Sequence, residues 1–147
     1  MKRLPVGPAR FLVYHVNDSA NSGAKKQPLK FTIIVEPATP GQNPTLTIKR
    51  KSIQGPSADY GAVGVQGAYD LLSLPEMPST RTITGPTILD STLESKIVTA
   101  QAYPSLIQAQ YDVEVAGAPL KFTIAVPDGA YTVDDALWIL KKSAGLN

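Results

Sequence analysis

The sequence predicts an α+β fold, an antiparallel β-sheet with a helix packed on one face. Three observations carry that expectation. Over 120–126, Leu120, Phe122, Ile124 and Val126 alternate with Lys121, Thr123 and Ala125, the two-residue period of a strand with one apolar face. After Pro127-Asp128-Gly129 the period changes to that of a helix over 132–143. The earlier periodic segments read as strands, and strands followed by a helix are the order of an α+β chain.

The helix is well signalled at both ends. Thr132 stands at the N-cap, Asp135 completes a Thr-x-x-Asp capping box, and Asp134 adds negative charge to the first turn. Lys141 and Lys142 lie in the last turn, and Gly145 can close it. Val133, Ala136, Leu137, Leu140 and Ala144 form one stripe that can lie on a sheet. Trp138 and Ile139 fall on its flanks, where either a loop of the same chain or a second subunit would cover them.

In chain order, 10–16 reads as a first strand, 17–27 as a polar loop and 30–35 as a second strand. Three prolines and a glycine make 37–44 a loop, because proline cannot donate to a ladder. The strand 45–53, TLTIKRKSI, carries Thr45, Thr47, Lys49 and Lys51 on one face and Leu46, Ile48, Arg50 and Ser52 on the other. Residues 55–72 fit either a hairpin of small residues or a loop leading into a short helix near 68–72. Short strands follow at 80–84, 95–102 and 105–115. PLKFTI occurs at 28–33 and again at 119–124, and the windows 28–52 and 119–143 agree at eleven positions. With no third copy this is chance or a remnant of duplication rather than a repeat architecture.

A chain of 147 residues is one domain, 1–147, long enough to bury a core, and 13 prolines with 11 glycines divide it into short elements. The absence of cysteine excludes disulfides, thiolate metal sites and thiol nucleophiles. Pro5, Pro8, Arg10 and His15 interrupt any apolar core of a signal peptide, and no run is long enough to span a bilayer. The chain therefore reads as made and used in the cytoplasm or in an assembly built there, with no membrane partner.

Candidate chemistry is sparse. His15, the one histidine, lies inside an apolar strand, the setting of a packed residue more than of a base. Neither a zinc set nor a Ser-His-Asp set assembles around it, so no catalytic residue, metal or cofactor is expected. Gly61, Gly64 and Gly67 share the spacing of a dinucleotide loop but neither follow a clear strand nor open a clear helix. The chain reads as a protein other than an enzyme.

Charge is more informative. Residues 1–51 hold nine of the fourteen Lys and Arg against two acids, a net +7, and the remainder is −5. Lysines two apart on a strand project the same way, about 7 Å from each other. Lys49 and Lys51, alternating with Thr45 and Thr47, make a face suited to a phosphate backbone, against the alternative of an ordinary solvated face.

The ending LKFTIAVPDGAYTVDDALWILKKSAGL resembles the closing strand and following helix of the coat proteins of single-stranded RNA bacteriophages, the levivirus-like family. TLTIKRKS is similar to that family's basic, hydroxyl-rich strand. The resemblance implies an N-terminal hairpin and a five-stranded antiparallel sheet per subunit. It also implies a C-terminal helix that crosses onto a partner, giving an interlocked homodimer. Such dimers would assemble in the host cytoplasm into an icosahedral virion, package single-stranded RNA, and bind one RNA hairpin as a translational repressor. Trp138 and Ile139 would then meet the partner subunit. Thr45, Thr47, Lys49 and Lys51 would face RNA, with Lys121 and Thr123 on a neighbouring strand. Two other classes compete: a phage tail-tube or decoration protein of β-sandwich type, and a small β-rich ligand-binding module. The last predicts an exposed aromatic cluster, whereas the aromatic residues are spread along the chain.

Overall fold

The computed structural model describes residues 2–17, 29–30, 32–90, 97–98 and 105–125. In chain order they form β1 (Lys2–Leu4), β2 (Gly7–Asn17), β3 (Leu29–Lys30), β4 (Thr32–Pro37) and β5 (Thr45–Ser57). Then come α1 (Tyr60–Ser73), β6 (Ser79–Thr82), β7 (Thr87–Ile88), β8 (Ile97–Val98), β9 (Ser105–Ala116) and β10 (Leu120–Ala125). One four-stranded antiparallel sheet runs β1-β10-β4-β7 and a second runs β2-β9-β5-β6. A two-residue ladder joins β3 to β8.

The two orders are the same order. β1 continues into β2, β4 into β5, β6 into β7 and β9 into β10, so each chain segment serves one sheet and then the other. The two four-stranded sheets are thus a four-segment antiparallel ribbon folded over on itself. Proline and glycine mark the fold line, at Pro5, Pro37 to Pro44, Gly85-Pro86 and Gly117 to Pro119. Gly117 takes φ +85°, a conformation that a residue with Cβ rarely adopts. The Ala38 N–H donates to the Pro119 carbonyl at 2.9 Å, and the Ile83 N–H to that of Pro44 at 2.8 Å. These bonds tie the crossings together.

The inward faces meet in one core. Leu4, Ile33, Val35 and Leu120 from the first sheet pack against Phe11, Leu46, Ile107 and Val113 from the second. Phe11 links the layers, stacking on Tyr111 of its own sheet at 5.0 Å and on Phe122 of the other at 5.4 Å. His15 continues the inward row of Phe11 and Val13 but sits at the exposed end of it.

Antiparallel sheets with a helix match the α+β expectation, and several finer expectations change. The described helix is α1, in the middle of the chain and on the outer face of the second sheet. The helix expected over 132–143 lies outside the described residues. Among the described residues no N-terminal hairpin forms, since β1 and β2 belong to different sheets and pair with β10 and β9. The described strands make two four-stranded sheets in place of one five-stranded sheet, because the Pro and Gly positions bend every segment at the same level.

Candidate functional site

β5 organises the chemistry of the molecule, and a bulge organises β5. Ile48 pairs with Val113 but Arg50 pairs with Asp112, which leaves Lys49 as an extra residue. Before the bulge Leu46 and Ile48 point inward with Val115 and Val113. After it Lys51 and Ile53 take the inward row with Tyr111 and Ala109, while Arg50, Ser52 and Gln54 point outward. The single basic and hydroxyl face expected of this strand is therefore split. Thr45, Thr47 and Lys49 lie on the outer side, and Lys51 lies on the inner one. Lys121 and Thr123 are on β10, in the other sheet, and do not neighbour β5. Trp138 and Ile139 lie outside the described residues.

The cations of that face are also paired. Lys49 meets Glu114 at 2.6 Å, which raises its pKa, and Lys121 meets Glu36 at 3.7 Å. Arg50 meets Glu76 at 3.5 Å and donates to the Leu71 carbonyl at 3.0 Å. The Thr47 hydroxyl is 2.7 Å from that of Thr80 on β6. Arg10 makes a two-point contact with Asp112 at 2.5 and 2.8 Å. The basic front third and the acidic remainder, far apart in sequence, lie against each other across β2, β5 and β9.

Where Lys51 turns inward it meets Asp90, a carboxylate only 5% exposed, at 3.0 Å. The Tyr111 hydroxyl donates to the same carboxylate at 3.2 Å. Burial, with the Asp90 charge beside it, pushes the phenol far above its usual pKa. Arg81, on the inward row of β6 opposite Leu46, donates to the Leu89 carbonyl; burial lowers its pKa. Lys51, Arg81 and Asp90 border a cavity of about 690 Å³ at the β6–β7 edge.

α1 closes the outer face. Asp59 caps it, accepting from the Ala62 N–H at 2.9 Å, and Val63, Gly67 and Leu71 face the sheet. Under it, Asp70 accepts from Ser52 at 2.8 Å, Gln54 at 2.6 Å and Gln66 at 2.7 Å. Gly61, Gly64 and Gly67 are thus helix residues and form no phosphate loop.

The opposite side of α1 is apolar too. Val65, Tyr69 and Leu72, at helical spacings of four and three, are 73%, 64% and 80% exposed, and Leu74 and Met77 continue the exposed apolar surface. Asp70, the one charged residue of the helix, is engaged against the sheet. Sequence reasoning missed this stripe, although Asp59 followed by Val63, Gly67 and Leu71 is a legible start and face.

Comparison with known families, curated proteins and solved structures finds no match to this chain. Function is therefore read from the residues themselves. No helix among the described residues is long and apolar enough to cross a membrane. No cluster of three or more His, Cys, Asp or Glu side chains among them could hold a metal ion.

Proposed function

We propose that this chain is a structural protein that associates with copies of itself, a coat subunit that encloses single-stranded RNA. The supporting observation is the solvent-facing stripe Val65, Tyr69 and Leu72 on α1. A helix apolar on both sides is ordinarily buried on both sides. The stripe carries no charge, so two copies can meet on it without like-charge repulsion, and a net charge of +2 adds little opposition.

Magnitudes favour a lattice over an isolated pair. Burying such side chains contributes roughly 1.5–3 kcal/mol each. Six of them in a symmetric contact yield an amount comparable to the roughly 4–15 kcal/mol cost of association. One contact is thus marginal, and many contacts per subunit, as in a shell, make assembly firm. The resemblance of 120–146 to RNA phage coat proteins supports the coat reading, with RNA as content. Pairing of Lys49, Lys51 and Lys121 with acids weakens β5 and β10 as the RNA face.

Electron microscopy and native mass spectrometry of the expressed protein test this. Closed shells holding nuclease-protected RNA are expected, and the double variant Val65→Glu, Leu72→Glu should give folded, dispersed subunits. Monomers without protected RNA in the unaltered protein would overturn the reading. The second reading, a tail-tube or decoration protein of β-sandwich type, draws support from the two facing sheets. Open rings or tubes in the same micrographs would establish it.

A further inference from the structure

The cavity at the β6–β7 edge has a composition that self-association does not explain. Part of its wall is apolar, with Ile48 on one sheet, Ile88 on the other, and Leu74 and Met77 at the segment after α1. Among the described lining residues, two cations, Lys51 and Arg81, come from inward strand rows, and the one carboxylate, Asp90, meets Lys51.

Among the described lining residues, Arg81 is a cation whose guanidinium has donors left over, although the Asp90 charge is felt by it. Asp90 is occupied by Lys51, at 3.0 and 3.1 Å to its two oxygens, and by the Tyr111 hydroxyl. Arg81 is half-buried and gives one hydrogen bond, to the Leu89 carbonyl; its other N–H groups bond to nothing among the described residues. A guanidinium presents five donors in a planar fork that matches a carboxylate. Lys49 and Arg50 also line the cavity, and each positive charge is already paired with a glutamate outside the lining. The cavity volume is within the usual range of small-molecule sites, about 300–1,000 Å³.

We propose that this cavity binds an amphipathic carboxylate, its head on the spare N–H donors of Arg81 and its aliphatic body against Ile48, Leu74, Met77 and Ile88. An inward cation on an edge strand can also serve only to block edge-to-edge pairing. That role would place no demand on the cavity's contents, and the two roles differ in what a titration reads.

Calorimetric titration of the full chain with decanoate and with decanol separates them. Saturable decanoate binding is expected, with decanol at least tenfold weaker. Arg81→Gln should weaken decanoate about tenfold and leave decanol unchanged. Met77→Trp, at a residue 80% exposed on the rim, should obstruct both without touching the core and remains informative should Arg81→Gln fail to fold. Absence of decanoate binding, equal affinity for the two probes, or decanoate binding indifferent to Met77→Trp would overturn the proposal. Because Leu74 and Met77 adjoin the apolar stripe of α1, the titrations are run on the dispersed Val65→Glu, Leu72→Glu background, so either result leaves the coat reading to its own test.

Discussion

Gly61 and Gly67 are six residues apart on α1 and differ in what a methyl group would meet. A Cβ at Gly61 comes to 3.6 Å from the Asp59 carboxylate, an ordinary contact. A Cβ at Gly67 would strike the Gln108 amide nitrogen and approach that of Gln110 at 3.0 Å, and Gln108 is buried. Alanine gains up to about 1 kcal/mol over glycine in a helix interior. Gly61→Ala should therefore raise stability by several tenths to about 1 kcal/mol in urea unfolding. Gly67→Ala should show no gain, since the amide must be displaced. At the same scale, Lys49 explains why the β5 faces are not legible in the sequence. Lys-Arg-Lys is polar in either register, so nothing in the alternation reveals one inserted residue, and only pairing with β9 exposes it.

The helix α1 shows what local propensity hides. Three glycines in fourteen residues lower intrinsic helicity, so the pattern of 55–72 fits hairpin and helix alike. What holds the element in place is tertiary: Val63 and Leu71 on the sheet, and Asp70 on Ser52 and Gln54. Asp70→Ala should cost about 1–3 kcal/mol, because the two sheet donors lose their acceptor beneath the helix. Circular dichroism should lose helix before strand signal on heating. Loss no greater than that of an exposed-site variant would show that the network contributes little.

Across the whole molecule, charges that the sequence segregates are brought together, with consequences for acid stability. The Arg10 fork holds the Asp112 carboxyl below its usual pKa, against a smaller opposing effect of burial. A lowered carboxylate pKa gives stability that is present above the unfolded value, about 3.9, and is lost as pH falls through the folded value. Arg10 is exposed, so the pair contributes only about 0.2–1 kcal/mol. Arg10→Gln should lower stability by that amount at pH 7 and by nothing once Asp112 is protonated in both proteins. A difference that persists unchanged at the lowest pH would mean that the arginine acts by packing. Burial lowers the pKa of His15, so its neutral form also favours the folded state, and that contribution falls as pH drops below about 6.5.

The longer strands were legible in the sequence. The alternation over 45–53 and 120–126 is readable because a strand with one face on a core keeps a two-residue period, whereas the short strands β1 and β7 carry no such signal. The prolines and glycines announced breaks but not their common level, which makes them one fold line across four segments. The β5 bulge, the partner of each cation and the two-sided character of α1 were likewise decided by tertiary structure. Each depends on which distant residue lies opposite, and local pattern carries no record of that.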